Sequence, residues 1–599
     1  MVTTLTHRGP DESGLWLGDG IALGMRRLSI IDVATGQQPV FNEDKTLAVV
    51  FNGEIFNYVE LRERLAPHHQ FATDHSDTEV LVHLYEEHGL DFVSHLNGMF
   101  AIALWDAPRR QLILARDRMG IKPLYYAVVG GEIVFGSEPK SLLAHPGVSR
   151  DPDFVALHHY FSFKNVPSPL SAFAGIKQLR PGELGVFSQG RLETRRWWSL
   201  RFNEDPSLTE QDAAQRIRDI LADSVRIQMR SDVPFGAYLS GGVDSSSVVA
   251  LMSRIGGARV KTFTLAYDDG FGGKDADREF ARQVSRQYGT EHYEQVISYR
   301  DVPECIDDIV SAFDEPFSGV ISTFFITRLI GRHVKVALSG DGADELFGSY
   351  LAHRLAFPLA ALEQSGGELA GLTDELRAQL HPYANRAEWL AAIFSRGDEA
   401  ARRMGQYIAD DRDKRRLYSE RMLSAVGTAS TESLVRELLG ASGTRDPLNR
   451  ILFLDWETLL ADQVLPFVDR LSMAHSVEVR PPFLDHRLVE FVATIPGAMK
   501  IKNGRIKHIL KEAVAGMLPP EILDRPKEGF IMPINEWILT NLRSFVDDTL
   551  SEKRLARHGL FRNDSVADML EAHYAGAANC GNRIWNLMMF QLWWDRYAT

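Results

Sequence analysis

The heptapeptide Ser240-Gly241-Gly242-Val243-Asp244-Ser245-Ser246 narrows the choice of fold more than any other part of the chain. It directly follows the strand-like run FGAYL, and Ser245 to Arg254 have helical spacing. A strand that ends in glycines and re-enters a helix is the unit of a parallel sheet with helices on both faces. Glycine lets the backbone approach an anion closely, and successive N–H groups form a nest for phosphate oxygens. The helix that follows points its positive end at the same place. Ser240, Ser245 and Ser246 add hydroxyl donors. Asp244 would be repelled by bare phosphate, so its presence predicts a bridging Mg²⁺. The competing reading is a glycine turn capped by Asp and Ser.

A second loop of this kind, Ser339-Gly340-Asp341-Gly342-Ala343-Asp344-Glu345, follows the apolar run VKVAL. Loops at the carboxyl ends of neighbouring parallel strands converge on one crevice. Three carboxylates there require a neutralising cation, and Asp344 with Asp244 could hold Mg²⁺ against pyrophosphate. On this reading the two carboxylates repel each other in the free protein, so replacing either with Asn should leave its stability unchanged or raise it. Strands are predicted at Val260–Ala266 and His292–Ile297, and helices at Ala276–Tyr288 and Val302–Phe313. From about 355 to 445 a helical region packs beside the sheet.

Composition excludes several classes. The 599 residues carry 66 basic and 80 acidic side chains, a net charge of −14, which argues against a nucleic-acid binder. Two cysteines, Cys305 and Cys580, are too few for a disulfide framework or a four-thiolate zinc site. No apolar run reaches the ~18 residues of a membrane span. A soluble, cytoplasmic protein with no membrane or nucleic-acid partner is expected.

The first third reads as β-rich. Leu47–Phe51, Ala101–Trp105, Leu112–Ala115 and Ile133–Phe135 are short apolar runs between turn residues, and helices are predicted at Val59–Leu65 and Thr78–His88. This mixture predicts an α+β sandwich. The charged, aromatic stretch Arg191–Asp205 marks a boundary, giving domains over 1–198 and 205–599.

The two loops, in this order, resemble the pyrophosphatase-type ATP-binding domain of the asparagine synthetases. Asp469-Arg470-Leu471-Ser472-Met473-Ala474, Glu478-Val479-Arg480, Pro482-Phe483-Leu484-Asp485 and Arg525-Pro526-Lys527-Glu528-Gly529-Phe530 resemble further segments of that family. His7-Arg8-Gly9-Pro10-Asp11, Arg26 to Ile30, Asn52 to Asn57, Ser76 to Glu79 and Ala115 to Pro123 resemble its class II glutamine amidotransferase domain. The resemblance implies an N-terminal-nucleophile (Ntn) hydrolase-like sandwich followed by an α/β adenine-nucleotide hydrolase-like domain. It implies a C–N ligase that makes asparagine from aspartate, ATP and glutamine or ammonia, releasing AMP and pyrophosphate, with ATP and Mg²⁺ required and a homodimer allowed.

Site residues follow from the resemblance. Arg27, Leu28, Ser29, Ile30, Ile31, Asn52, Gly53, Glu54 and Asp77 would bind glutamine: Arg27 its α-carboxylate, Glu54 and Asp77 its ammonium, Asn52 and Gly53 the oxyanion of its tetrahedral intermediate. Ser240, Gly241, Gly242, Ser245 and Ser246 would cradle pyrophosphate, with Tyr238, Leu265, Ser339 and Gly340 around the nucleotide and Asp244 and Asp344 on the metal. Asp341 and Lys527 would be catalytic. The family's nucleophile, a cysteine directly after the initiator Met, has no counterpart: residue 2 is Val2. A start upstream of Met1 and a sandwich lacking its first strands, with an exposed edge, are therefore expected. An amide-forming ligase acting on another carboxylate, as in the β-lactam synthetases, and a non-catalytic relative are the alternatives.

Overall fold

In a computed structural model the described residues are 1–598 except 258, 269–273, 369–372, 375, 377–386 and 526–531. The first part begins with a hairpin, β1 (Glu12–Gly18) and β2 (Ile21–Arg27). A six-stranded antiparallel sheet follows, built from β3 (Val40–Phe41), β4 (Leu47–Ile55), β5 (Gly98–Asp106), β6 (Gln111–Arg116), β10 (Glu183–Ser188) and β11 (Arg191–Arg196), in the order β11-β10-β6-β5-β4-β3. Three further strands, β7 (Tyr125–Val129), β8 (Glu132–Gly136) and β9 (Lys177–Gln178), form a separate sheet.

Both faces of the six-stranded sheet are covered, and the period of two is plain in β4. Val49 and Phe51 pack with Leu61, Leu65, Val80 and Leu81 of the helices Tyr58–Leu65 and Glu79–His88. Ala48 and Val50 face the other way, towards Leu23, Trp16 and Met25 of the hairpin. On the hairpin's outer side Leu15 and Leu17 stand 69% and 72% exposed. The charged stretch read as a boundary opens as strand β11, the sheet's edge, and the next helix begins only at Glu210, capped by the Thr209 side chain.

The second part holds a five-stranded, wholly parallel sheet: β12 (Phe235–Tyr238), β13 (Lys261–Tyr267), β14 (Glu291–Ile297), β15 (Val336–Leu338) and β16 (Glu478–Arg480), in the order β14-β13-β12-β15-β16. Its order turns back on itself between β12 and β15, the place where loops in an open sheet splay apart and leave a crevice. The helical region beside it is cut into short pieces by its own caps. Asp398, Asp410, Ser419, Ser430 and Asp446 each accept a backbone N–H from the first turn of the helix they open. No helix among the described residues is long and apolar enough to cross a membrane.

Candidate functional site

The crevice at the carboxyl end of the parallel sheet is formed by the loops after β12 and β15. Gly241 has φ +72°, and a Cβ there would lie 2.6 Å from Phe280 Cβ and Ala281 N in the helix Lys274–Tyr288. A Cβ on Gly340 would lie 2.8 Å from Asp244 Cβ, so the second loop rests directly on the first. Only glycine allows this double contact. The Ser245 hydroxyl accepts from Ser240 N–H at 3.1 Å and sits 3.0 Å from Ser240 Oγ. Three buried polar atoms have no partner: Tyr238 Oη, Ser246 Oγ and Asp244 Oδ1. Orphaned polar groups are costly in a protein interior, and here they gather on one loop and its strand. Leu265 lies buried in neighbouring β13.

Asp244 and Asp344 come together as the sequence predicts, but not as a bare acidic pair. Lys507 Nζ lies 2.6 Å from Asp244 Oδ2 and 2.5 Å from Asp344 Oδ1, buried between them. Burial opposes its charge, yet the two carboxylates outweigh that and hold the ammonium above the usual lysine range. The expected mutual repulsion is thereby corrected: the free protein carries its own counterion. Asp341 holds the start of the same loop, where Ser339 Oγ accepts from its N–H at 3.5 Å, and burial beside it raises the Tyr238 phenol. Behind the loop Tyr350 donates to Glu345 at 2.7 Å, and burial with Asp344 nearby pushes Glu345 up to about 8. Arg525 reaches the Ser240 carbonyl and pairs with Asp277. Lys527 lies outside the described residues.

The second candidate site is a cavity of about 910 Å³ in the first part, lined among others by Arg27, Leu28, Ile30, Ile31, Asn52, Gly53, Glu54 and Asp77. Ser29 does not line it: its N–H donates to Asp11 Oδ2 at 2.8 Å and its hydroxyl is buried without a partner. The Asn-Gly pair, which alone would read as a hairpin turn, lies inside β4, with Asn52 opposite Ala101 and Gly53 opposite Phe100. Gly53 has φ +147°, and a Cβ would strike Met99 O at 1.9 Å. Asn52 Nδ2 donates to Ser137 Oγ at 3.4 Å. Arg27 is engaged by the chain itself, donating to Glu12 Oε2 (2.9 Å) and to the Ile31 and Asp32 carbonyls. Asp77 accepts from Ile55 N–H, but burial prevails and pushes it up to about 6. Burial likewise raises Glu54, whose Oε1 meets Arg480 at 3.1 Å while its Oε2 has no partner. None of the lining residues is a cysteine.

Between the two sites runs a lattice of buried charge. Arg8 meets Glu138 at 2.9 Å and Asp469 at 2.8 Å. Lys122 lies between Asp469 and Glu478, Arg470 pairs with Asp314 at 3.0 Å, and Arg480 pairs with Glu478 at 2.9 Å. Even so, burial pushes Asp314 up to about 7. The Asp-Arg and Glu-x-Arg segments of the second part thus face the His-Arg-Gly-Pro-Asp and Arg-Met-Gly-Ile-Lys segments of the first. Arg116 and Asp117 shape the latter loop from within: Arg116 donates to three carbonyls, and Asp117 accepts from four N–H groups.

Lys507 and Arg480 are the site residues that sequence reasoning missed. Lys507 had a signal: with Lys511 it places two cations four residues apart in the otherwise apolar run Ile506, Ile509, Leu510 and Ala513. Arg480 was visible only as part of a motif.

The comparisons agree with this geometry. Residues 216–595 match the asparagine synthase family model, and residues 1–198 match that of the glutamine amidotransferase domain. The class so defined is an amidotransferase domain joined to a synthase domain. The chain belongs to the asparagine synthase family. It is 34% identical to the glutamine-hydrolysing asparagine synthetase 1 of Bacillus subtilis (strain 168), over 98% of this chain and 92% of that protein. It is 33% identical to a putative asparagine synthetase of Mycobacterium bovis over the same shares, and 29% identical to the amidase chry2 of Gibberella zeae over 95% and 90%.

Proposed function

We propose that this chain is a C–N ligase that activates the side-chain carboxylate of aspartate with ATP and converts it to asparagine, passing through β-aspartyl-AMP. The observation that carries the reading is the convergence of two glycine loops, from adjacent parallel strands, on Asp244, Asp344 and Lys507. Ser240, Gly241, Gly242, Ser245 and Ser246 cradle the pyrophosphate, with Tyr238, Leu265, Ser339 and Gly340 around the nucleotide. The unpartnered Asp244 Oδ1 suits a Mg²⁺ ion shared with Asp344; when bound, the ion neutralises the leaving pyrophosphate. Lys507 supplies fixed positive charge at the same place, so its work is positioning and charge neutralisation. Asp341 assists adenylate formation, and Lys527 is assigned its catalytic role by the family resemblance alone.

The nitrogen reaches the adenylate as ammonia. In the first domain, an Ntn-hydrolase-like sandwich over 1–198, glutamine's ammonium takes the uncompensated charge of Glu54 Oε2 and Asp77, and its α-carboxylate competes with Glu12 for Arg27. Asn52 and Gly53 serve the oxyanion. The nitrogen comes from glutamine, whose hydrolysis needs a thiol nucleophile, or from free ammonia where no thiol lines the cavity. The ligase spans 205–599 and acts on soluble substrates in the cytoplasm; a homodimer suits it.

Pyrophosphate exchange into ATP, measured across a panel of carboxylic acids, tests the reading. Aspartate should stimulate exchange most, and product should form with ammonium chloride but not with glutamine. Exchange driven by another acid and not by aspartate would move the reading to a different amide-forming ligase. Product from glutamine with highly purified chain would show that the nucleophile has been misread.

A further inference from the structure

On the helix-covered side of the first part, away from both sites, four side chains from three segments converge. Glu43 comes from the turn between β3 and β4, His69 from the loop after the helix Tyr58–Leu65, and His83 and Glu86 from the helix Glu79–His88. One donor atom from each lies within 4.8 Å of every other. His69 Nδ1 is 3.5 Å from Glu43 Oε1 and 3.5 Å from Glu86 Oε2. His83 Nδ1 is 3.0 Å from Glu86 Oε2 and 3.7 Å from Glu43 Oε2. We propose that this cluster binds one divalent transition-metal ion of the Zn²⁺ class, through His69 Nδ1, His83 Nδ1 and one oxygen each of Glu43 and Glu86.

Three features carry it. Bonds of 2.0–2.1 Å to a tetrahedral Zn²⁺ place neighbouring ligand atoms about 3.3 Å apart, within the 3.0–3.7 Å of the four histidine–glutamate spacings. The outer contacts are those that orient metal ligands. His69 Nε2 faces Glu87 at 3.4 Å and the buried His83 Nε2 faces Glu79 at 3.9 Å, so both rings turn the lone pair of Nδ1 to the centre. Gln70 N–H donates to Glu43 (2.9 Å) and Asn42 to Glu86 (2.8 Å), fixing the two carboxylates. Finally, the two imidazole centroids are 4.5 Å apart. Both rings turn Nδ1 towards the same two carboxylates. An ion at the centre would accept both lone pairs. Two imidazoles with two carboxylates suit a borderline ion rather than Mg²⁺. Four protein ligands make a closed site, whose role is to tie three segments together.

The test uses the full chain without a histidine tag, stripped with chelator and titrated with Co²⁺ in excess Mg²⁺, which occupies all-oxygen sites. One equivalent should bind per chain with the intense visible absorption of four-coordinate Co²⁺, and Zn²⁺ should displace it and raise Tm. His69→Ala and Glu86→Gln should each weaken binding at least tenfold, while His68→Ala, on the exposed neighbour, changes nothing. Glu86 is exposed and its replacement isosteric, so loss of binding in that variant reads the ligand and not the fold. Absence of the absorption, or binding unchanged in both variants, would overturn the proposal and leave the cluster as salt bridges only.

Discussion

The carboxylates of the two candidate sites are each answered by one basic side chain from far along the sequence, but the two balances differ. At the head of the parallel sheet Lys507 touches both Asp244 and Asp344, so each negative charge has a partner before any ligand arrives. In the first domain Arg480 reaches Glu54, while Asp77 accepts only from the Ile55 N–H and, at 3.5 Å, the Thr78 hydroxyl, and is pushed up to about 6 by burial. Charge placed where a lysine can share it is stabilised. Charge whose burial outweighs the nearby arginines stays costly until a ligand cation comes.

The largest effect should come from removing the shared cation. Lys507→Met leaves two half-buried carboxylates facing each other without the buried ammonium between them, a loss of up to about 3–5 kcal/mol. Denaturant unfolding should show that loss and pyrophosphate exchange should collapse with it; an unchanged unfolding free energy would erase the contrast between the clusters. Next comes Asp77. Its folded pKa of about 6 lies above its unfolded value, so the protonated form is favoured by folding. Stability from this group is full below pH 4 and is lost as pH rises to 6, by up to about 3 kcal/mol at 1.36 per unit. Asp77→Asn should flatten that slope between pH 4 and 6, as read from unfolding at several pH values.

Asp244→Asn sharpens the comparison further. Because Lys507 pairs with Asp244, the change should lower the stability of the free protein by about 1.5–3 kcal/mol, opposite in sign to the expectation for a repelling pair. Raised Tm in this variant would restore the repulsion. The smallest effect is expected at Glu60, which meets Arg230 at 2.6 Å on the surface between the two parts. Glu60→Gln should cost under about 1 kcal/mol, and less in high salt.

What could be read from the sequence was local. Strand, glycine turn and helix are contiguous, so the glycine loops and their strands were legible from residue order alone. The helices at Tyr58–Leu65 and Glu79–His88 announced themselves by spacing and polar starts. Asn52-Gly53 shows the limit: the pair has turn chemistry, but its place in β4 depends on β5, some fifty residues on. Lys507 stayed hidden because its partner Asp244 is 263 positions away, and nothing in either neighbourhood marks the pairing. The Asp-Arg and Glu-x-Arg segments were visible as motifs, yet their meaning as counterions for the other domain needed the fold.

Strand β16 has only three residues, too few for its ladder to β15 to fix its position. Its Arg480 side chain reaches Glu54 in the cavity of the first part, and its carbonyl accepts from Ser339 N–H at the start of the second glycine loop. A slip of one residue would turn Glu478 and Arg480 to the opposite face, leaving Glu54 without its counterion and Lys122 with Asp469 alone. The strand is therefore indexed by charge, like a key cut with two teeth, and the same index sets the alignment of one domain against the other.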